Sequence, residues 1–439
     1  MTDDADPDAA APDAADGDRG IAADHPAADE PDVIDRLADR APLLQRCANR
    51  FSDRQPFADR RIGVSAPLTP HTGRFLEVLA AGGATVLVVG EAGSTHPDVV
   101  AALRRRPGIT PITASGDAAT AGDGEATADE ATSLERARRE VLTAAPDLIA
   151  DDGANLLVPL CREFPDVAAD VAGACEQTTG GITRLRRLVR PDAEGKSVRI
   201  PFPVYDVNGA PMKQRFDNVH GTAESSIAAI TTLTNAMIAG STAAVIGYGH
   251  CGRGIARKLR SLGARTTVAE IDPRKALEAM ADGHDVRPAT EAVADARFVI
   301  AATGRAGVLS REQLAAMADG AVLASIGSET EIDRDALATL AVDRTRIEPG
   351  VERVTFADGR TIRLLTEGRV VNLSAPGSAG NPVDVMDATF ALMARGLEAI
   401  VDGDPTGTGL EPFPEAIDRA VAREKLAAMN VTIDDGRND

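Results

Sequence analysis

The sequence predicts an α/β fold with two domains. At 439 residues the chain is long enough for two domains of ordinary size, each of which buries its own core. Short β-branched segments alternate with helical segments in two separate stretches, one beginning near residue 61 and the other near residue 241. This alternation is typical of βαβ units, which build parallel sheets.

The first stretch contains three predicted strands. They are R-I-G-V-S at 61–65, A-T-V-L-V-V-G at 84–90 and D-L-I-A-D-D-G at 147–153, with the helical segment F-L-E-V-L-A-A-G-G between the first two. The third strand ends in two carboxylates, at the position where an open α/β sheet places its ligands.

The second stretch carries a glycine motif. A predicted strand at 243–246 runs into Gly247, Gly249 and Gly252, a G-x-G-x-x-G pattern that opens a helix. Glu270 ends the next strand, 18 residues after Gly252, and the dinucleotide fingerprint has an acidic residue about 20 residues on. The glycines let the backbone approach a pyrophosphate at the helix N-terminus, and a Glu at this tip accepts the ribose hydroxyls of NAD and repels the phosphate of NADP. NAD binding is the prediction, and an incidental glycine turn is the alternative.

The other segments complete this outline. Further strands are predicted at 298–302 and 321–326, and a helix at A-I-D-R-A-V-A-R-E-K-L near the C-terminus. Residues 1–32 are almost wholly Ala, Asp, Pro and Gly and are predicted to be a disordered acidic leader, while low-complexity residues 114–129 are predicted to form a surface loop.

Composition excludes several classes of partner. The net charge is −20 and aromatic residues make up 3% of the chain, which argues against nucleic acid and anionic membranes. The acidic excess is typical of proteins from a salt-rich cytoplasm. Neither the four cysteines nor the six histidines show metal-ligand spacing, so free thiols and no metal are predicted. No apolar run reaches the length of a membrane span, and we expect a soluble, cytoplasmic protein.

One lysine is unusual in its context. The chain has 42 arginines and five lysines, and Lys213 stands in N-G-A-P-M-K-Q-R-F-D-N at 208–218. Arginine stays protonated at working pH, whereas a desolvated lysine can release its proton and act as a base. Chance placement is the alternative interpretation.

Several runs resemble one known family. They are D-D-G at 151–153, E-Q-T-T-G-G-I-T-R-L at 176–185, F-D-N-V-H-G-T-A-E-S-S at 216–226, M-I-A-G-S-T-A-A-V-I-G-Y-G-H-C-G-R-G at 237–254, E-G-R-V-V-N-L at 367–373 and V-M-D-A-T-F-A at 385–391. Over roughly 60–430 the chain resembles the S-adenosylhomocysteine hydrolase (adenosylhomocysteinase) family, as a divergent, haloarchaeal-type member. The resemblance implies NAD-dependent reversible hydrolysis of S-adenosyl-L-homocysteine to adenosine and L-homocysteine through transient oxidation of the ribose 3′-carbon.

The resemblance also implies roles for particular residues. Catalysis is expected from Lys213, Asp217, Asp152 and Asn208, with Lys213 helping to take the 3′-hydroxyl proton. Substrate contacts are expected from Thr69, Gln177 and Asn381. Besides the glycine motif and Glu270, cofactor contacts are expected from Thr178, Thr179, Asn218, Thr303, Gly304 and Asn372.

Some positions depart from the family pattern. Pro67 and His71 stand where the family has His and Glu, Gln177 replaces a Glu, and Ser328 and Asn381 each replace a His. A C-terminal tail with Lys and Tyr is absent. These changes affect adenine recognition and elimination, while the residues for NAD binding and 3′-oxidation remain. His71 is either a substitute base or a satisfied loop histidine.

Two alternatives to the hydrolase therefore stay open. One is related NAD-dependent 3′-oxidation of a different nucleoside or nucleotide. The other is a non-hydrolytic, NAD-binding regulatory paralogue, which has no need of Lys213 and Asp217.

The resemblance further implies an arrangement of domains. A Rossmann NAD-binding domain at 222–380 is expected to be inserted into an α/β substrate-binding domain made of 33–220 plus 384–410, followed by a C-terminal helix and tail at 411–439. The site is expected in the cleft between the domains. The expected partners are a small nucleoside thioether substrate and other copies of the chain, in a homotetramer or homodimer.

Overall fold

The computed structural model describes residues 31–113, 128–191, 195–328, 330–403 and 407–434. Of the predicted leader at 1–32, only residues 31 and 32 are described. Of the predicted loop at 114–129, only residues 128 and 129 are described, and the rest of both segments lies outside the described residues. Ala128 begins a helix, and Asp32 forms ion pairs with Arg105 and Arg106.

The strands and helices alternate along most of the described chain. The strands are β1 (Arg61–Ser65), β2 (Thr85–Val89), β3 (Ile109–Ile112), β4 (Leu148–Asp151), β5 (Gly173–Glu176), β6 (Pro203–Asp206), β7 (Thr242–Ile246), β8 (Arg265–Ala269), β9 (Asp285–Val286), β10 (Phe298–Ala301), β11 (Ala321–Ser325), β12 (Ala341–Glu348), β13 (Val351–Phe356), β14 (Thr361–Leu365) and β15 (Gly409–Pro412). The α-helices are α1 (Pro42–Arg54), α2 (Pro70–Ala81), α3 (Pro97–Leu103), α4 (Ala128–Thr143), α5 (Leu157–Glu163), α6 (Pro165–Asp170), α7 (Thr179–Leu188), α8 (Thr222–Thr234), α9 (His250–Ser261), α10 (Pro273–Ala281), α11 (Ala289–Ala294), α12 (Arg311–Ala316), α13 (Arg334–Leu340), α14 (Val371–Ser374), α15 (Val383–Asp402) and α16 (Glu415–Ala428). A π-helical segment, Lys213–Gly221, leads directly into α8.

The first sheet is parallel throughout its described strands, in the order β15-β6-β5-β4-β1-β2-β3. Its central strands β4 and β5 are wholly buried, as expected of a sheet covered by helices on both faces. Helices α1, α2 and α15 pack on one face, where Phe75 stacks on Phe390 with ring centroids 4.9 Å apart. Side chains of α4, α5 and α7 contribute to the core on the other face.

The second sheet has the order β12-β13-β14-β11-β10-β7-β8-β9. The six neighbouring strands β9, β8, β7, β10, β11 and β14 are parallel. Numbered from 1 to 6 by their order along the chain, they lie side by side as 3-2-1-4-5-6, the doubly wound order of dinucleotide-binding folds. An antiparallel hairpin, β12–β13, extends the sheet beyond β14. The predicted fold class is therefore confirmed, with a Rossmann-type sheet as the second of two α/β units.

The chain passes from the first sheet to the second and returns. It leaves the first sheet after β6, through the π-helical segment and α8. It returns with α15, which packs on α1, α2 and β5 of the first sheet. Strand β15 then pairs with β6. The sequence does not predict β15, because its residues G-L-E-P include Gly and Pro, which are depleted in strands.

Two further features concern the described residues only. Their cysteines Cys47, Cys161, Cys175 and Cys251 are free thiols, as predicted. Among their helices, none combines the length and the apolar character that crossing a bilayer requires.

Candidate active site

The glycine motif forms a tight strand-to-helix turn between β7 and α9. Gly247 has φ +99°, in the left-handed region, and a Cβ on Gly252 would lie 2.1 Å from the carbonyl oxygen of Gly247. Both positions therefore require glycine. At Gly249, by contrast, an added Cβ would meet no atom within 4 Å beyond its own chain neighbours and helix backbone among the described residues, and the first turn of α9 has no side-chain cap. The free N–H groups and the open space at Gly249 fit a dinucleotide pyrophosphate.

Glu270 follows β8 beside this turn. Its carboxylate accepts hydrogen bonds from the backbone N–H groups of Tyr248 and Ile271, both at 2.7 Å, and of Asp272 at 2.9 Å. These contacts hold the carboxylate next to the glycine turn. Its remaining lone pairs fit the ribose hydroxyls of NAD.

A fully buried carboxylate, Glu331, organises the opposite side of the turn. It accepts hydrogen bonds from the loop after β10, from the last residue of β11 and from the loop that follows β11. The donors are Thr303 N, Thr303 Oγ1, Gly304 N, Ser325 Oγ, Gly327 N and Ser328 N. Sequence reasoning missed Glu331, because it stands among polar loop residues where no periodicity distinguishes a buried carboxylate from a solvated one.

Lys213 and Asp217 form an ion pair one turn apart in the π-helical segment, and both are buried. Asp217 also accepts hydrogen bonds from Asn381 Nδ2 and from Thr389 Oγ1, the latter at 2.7 Å. Asn381 and Thr389 come from the return segment around the start of α15, about 170 residues further along the chain. Thr389 is a contact that the sequence did not indicate.

Asn208 lies beside this pair in a chain of neutral polar groups. Its Oδ1 accepts hydrogen bonds from Asn218 Nδ2 and from Thr179 Oγ1, both at 3.1 Å. Thr178 caps the N-terminus of α7, since its Oγ1 accepts from Gly181 N at 3.0 Å. The structure thus brings these four predicted residues together around one end of α7.

Asn372 lies in α14 and connects to the same cluster. Its Nδ2 donates to Ser225 Oγ at 3.0 Å and to Asn381 Oδ1 at 2.8 Å. Its Oδ1 is buried and has no hydrogen-bond partner among the described residues. An acceptor left open in this way fits the amide group of a bound nicotinamide.

Asp152 and Gln177 meet at the carboxyl ends of β4 and β5. Gln177 Nε2 donates to Asp152 Oδ2 at 2.7 Å. Burial raises the pKa of Asp152, whereas the Gln177 hydrogen bond and the charge of Lys213 lower it. The acid that the sequence placed at this strand end is therefore electrostatically linked to Lys213.

The neighbouring Asp151 has a structural role. It accepts hydrogen bonds from the backbone N–H groups of Asn155, Leu156 and Leu157 at 2.8–3.0 Å, and burial raises its pKa to about 6. The predicted strand ends in two carboxylates with different roles. Asp151 holds the following loop in place, whereas Asp152 belongs to the candidate site. Glu176 behaves like Asp151, because it accepts from the same loop and burial raises its pKa.

The departing positions His71 and Ser328, and the expected substrate contact Thr69, lie in hydrogen-bonded surroundings. Thr69 caps α2, with Thr72 N donating to its hydroxyl at 3.4 Å. His71 is buried in the first turn of α2, and burial lowers its pKa to about 4, although a hydrogen bond with the backbone of Ala379 opposes the shift. Ser328 belongs to the loop held by Glu331, and its hydroxyl lies 2.9 Å from that of Thr330.

Together, a Rossmann-type sheet with an open glycine turn and a buried lysine–aspartate pair beside it define an NAD-dependent enzyme. Curated relatives that are 35–38% identical over 90–91% of the chain show that it belongs to the S-adenosylhomocysteine hydrolase family. The family model described as "S-adenosyl-L-homocysteine hydrolase, NAD binding domain" matches residues 218–378. NAD is accordingly its cofactor, and the residues around the glycine turn fit it.

Curated relatives match nearly the whole chain. The chain is 36% identical to an S-inosyl-L-homocysteine hydrolase of Methanothermobacter thermautotrophicus, over 91% of this chain and 91% of the relative. It is 38% identical to an adenosylhomocysteinase of Aquifex aeolicus, over 90% of each chain. It is 35% identical to an adenosylhomocysteinase of Haloquadratum walsbyi, over 90% of this chain and 88% of the relative.

Proposed function

We propose that the protein hydrolyses S-adenosyl-L-homocysteine to adenosine and L-homocysteine through transient oxidation of the ribose 3′-carbon. The observation that carries this proposal is the buried Lys213–Asp217 pair, in a π-helical segment that packs against α9, the helix that the glycine turn opens. A regulatory NAD-binding protein has no use for a buried amine at this place. NAD, when bound, supplies reversible two-electron oxidation at the 3′-carbon.

The proton chemistry falls to the chain's own side chains. In the proposal the Nζ of Lys213 takes the 3′-hydroxyl proton, which requires the amine to be neutral at that moment. Asp217 fixes the direction of the amine because Asn381 and Thr389 hold its carboxylate in place. Asp152 is the remaining acid of the site and serves proton transfer at the sugar.

The other predicted residues have positioning roles in this proposal. Gly247, Gly249, Gly252 and Glu270 hold the adenosine half of NAD. Its nicotinamide half lies along the side lined by Thr178, Thr179, Asn218, Thr303, Gly304 and Asn372. The substrate is contacted by Thr69, Gln177 and Asn381.

S-inosyl-L-homocysteine is the second candidate substrate. The relative with that activity in its name is 36% identical over 91% of this chain, close to the 38% of the Aquifex adenosylhomocysteinase. The two substrates differ only in the base, an amino group in adenine being a carbonyl oxygen in hypoxanthine. The choice therefore depends on the part of the pocket that contacts the base.

The decisive experiment supplies the NAD-loaded protein with both thioethers and with adenosine. Thiol release and the near-ultraviolet absorbance of NADH are followed in parallel. We expect thiol release from S-adenosyl-L-homocysteine, and a higher kcat/KM for S-inosyl-L-homocysteine would transfer the assignment to the second candidate. NADH without thiol release would show that only the oxidation step is retained, and no signal with any nucleoside would contradict the enzymatic proposal.

Lys213→Ala tests the residue that carries the proposal. We expect a loss of NADH formation of about 100-fold or more, the usual contribution of a general base, with bound NAD retained. Lys258→Ala is the matched control, because Lys258 also pairs with a carboxylate, Glu224 at 2.9 Å, but on the surface. Equal effects of the two substitutions would remove Lys213 from the proposed chemistry.

We infer that 33–220 plus 384–410 form the substrate-binding domain, 222–380 the inserted NAD-binding domain and 411–439 a C-terminal extension, with the site between the two domains. The hydrogen bond from Thr389 to Asp217 joins the two proposed segments of the substrate-binding domain and supports this division of the chain. The working form is proposed to be a homotetramer or homodimer in a salt-rich cytoplasm. Light scattering in molar salt that gives the monomer mass of 45.6 kDa would contradict the oligomer.

A further inference from the structure

A pocket of about 260 Å³ lies between α1, α15 and α16, and its residues take no part in the candidate active site. It is lined by Arg46, Cys47 and Arg50 of α1, Arg395 of α15 and Glu424 of α16. The three helices are far apart in the sequence, and each of them packs on the other two. A ligand in this pocket would therefore contact three separate segments of the chain.

The pocket concentrates positive charge in an acidic protein. Three of its lining residues are arginines, although the net charge of the chain is −20. Arg46 forms no ion pair with any described residue, and its Nη1 donates to the backbone carbonyl of Glu424 at 3.3 Å. Arg50 donates to Glu398 through Nε, at 2.8 Å, and its two terminal nitrogens have no partner in the described part of the chain. Guanidinium N–H groups thus remain available for a ligand.

Glu424 adds a carboxylate to the same pocket. Its Oε1 accepts a hydrogen bond from Arg395 Nη1 at 3.0 Å. Within the described ranges, its Oε2 and the Nη2 of Arg395 have no partner. Cys47 is buried, and burial raises the pKa of its thiol to about 12, so the thiol adds no negative charge. The pocket therefore offers several N–H donors and one free carboxylate oxygen.

A ligand that matches this pocket has several acceptor oxygens and one donor hydrogen. Arginine forks bind the oxygens of phosphate and carboxylate groups through paired N–H groups. The free Oε2 of Glu424 would repel an oxygen without a proton, because an ionised carboxylate can only accept hydrogen bonds. The hydrogen phosphate ion meets both requirements, since it combines acceptor oxygens with a P–O–H group at neutral pH. Sulfate has the same shape but no proton to donate.

We propose that the pocket between α1, α15 and α16 binds inorganic phosphate. Its three arginines donate to the phosphate oxygens, and Glu424 accepts from the P–O–H group. Because the lining comes from three separate segments, the site forms only in the folded chain, and bound phosphate stabilises the fold. Phosphate binding at this pocket requires neither a nucleoside nor the chemistry of the candidate active site, so it can be tested whether or not the proposed function holds.

Calorimetric titration of the NAD-loaded protein with inorganic phosphate, at constant ionic strength in chloride, tests the site. Bound NAD fills the glycine turn, which could otherwise take up the anion. We expect a single saturable site in the wild type and binding weaker by about tenfold or more in Arg46→Gln, because charge-assisted hydrogen bonds are lost. The matched control is Arg36→Gln, since Arg36 also donates to a backbone carbonyl, that of Pro31 at 3.1 Å. No binding by the wild type, or equal affinities of the two variants, would overturn the proposal.

Glu424→Gln tests the acceptor of the P–O–H group. At about pH 8 sulfate and methyl phosphate both lack the proton that hydrogen phosphate donates. The wild type should therefore bind each of them about tenfold or more weakly than phosphate, and the variant should lose this preference, because an amide can also present its N–H end to the anion. Glu415→Gln, on the same helix, is the control that should keep it, since Glu415 pairs with Arg419 at 2.7 Å.

Two results of this comparison would contradict the proposal. Sulfate binding as tight as phosphate binding, or a preference that persists in Glu424→Gln, would remove Glu424 from the recognition of the anion. Tighter binding of methyl phosphate than of phosphate would overturn the assignment to inorganic phosphate in favour of a phosphorylated small molecule.

Thermal unfolding measures the consequence for the fold. Phosphate is excluded from protein surfaces and stabilises proteins in general, so the wild type and Arg46→Gln are compared at the same phosphate concentration. At about 100 times the dissociation constant, phosphate should raise the melting temperature of the wild type by a few degrees more than that of the variant. An equal rise in both proteins would show that phosphate does not join the three helices.

Discussion

Glu331→Gln is expected to damage the cofactor side of the site more than any surface substitution. The side chain is fully buried, and its two oxygens join the loop after β10 to the loop after β11. Glutamine has nearly the same shape and volume. The substitution therefore replaces one acceptor oxygen by a donor NH2 group and changes little else.

The magnitude follows from the donors that face each oxygen. If the NH2 group replaces Oε1, the backbone N–H groups of Thr303 and Gly304 lose their acceptor. If it replaces Oε2, those of Gly327 and Ser328 lose theirs. In either orientation two part-buried N–H groups lose their acceptor. Water can partly replace the lost acceptor, so each costs about 0.5–1.5 kcal/mol and the free energy of unfolding should fall by about 1–3 kcal/mol.

Chemical denaturation of the wild type and Glu331→Gln measures this loss, and dialysis against free NAD measures the affinity of the loosened site. Glu415→Gln is the control, because Glu415 is exposed and pairs with Arg419 at 2.7 Å on the surface of α16. Its effect should stay below about 1 kcal/mol. If Glu331→Gln costs no more than the control and keeps its NAD, the two loops are not held by this carboxylate and the reasoning is refuted.

Three further predictions concern cofactor binding, packing and pH. Glu270→Ala should weaken NAD binding about tenfold or more and relax discrimination against NADP, as titrations with both dinucleotides will show; unchanged selectivity would contradict the role of the carboxylate. Gly254→Ala places a Cβ 1.9 Å from the carbonyl oxygen of Val219, so it should destabilise the protein by about 1–3 kcal/mol or more, whereas Gly249→Ala meets open space and should weaken NAD binding without loss of stability. Equal denaturation midpoints for the two glycine variants would contradict the packing argument. Burial lowers the pKa of His71 from 6.5 to about 4. The imidazole is therefore protonated near pH 6.5 in the unfolded chain but only near pH 4 in the folded protein. Stability should be unaffected above that window and should fall by about 3 kcal/mol as pH decreases through it, an effect absent from His71→Leu; parallel profiles for the two proteins would show that His71 is not buried as a neutral group.

The sequence predicted those parts of the fold that local patterns determine. The strand predicted at 61–65 has the same limits in the structure, and the one predicted at 243–246 begins a residue earlier, at Thr242. Both are short β-branched runs that end in a turn or a loop, so burial and propensity favour the same conformation. The strand-to-helix turn at the glycine motif could also be predicted, because its spacing is fixed by a steric requirement for glycine at Gly247 and Gly252.

Other elements depend on partners that are distant in the sequence. The hairpin of β12 and β13 was not predicted, since β12 is largely exposed and its polar residues show no apolar alternation. The role of Thr389 was also hidden, because its contact with Asp217 joins residues 172 positions apart. Gln177 could be placed in the site from the resemblance, but only the structure shows that one end of its amide is paired and the other open.

The position of Asp217 links the return of the chain to the chemistry of the site. A buried carboxylate is stable as an anion only if cations and hydrogen-bond donors surround it. Lys213 is four residues away, but the donors Asn381 and Thr389 reach Asp217 only when the segment that leads into α15 has docked on the π-helical segment. Because α15 also packs on α1 and α2 of the first sheet, the same docking closes the fold and completes the surroundings of the ion pair. The amine that the proposal assigns to proton transfer therefore acquires its fixed direction from contacts that only the fully assembled chain provides.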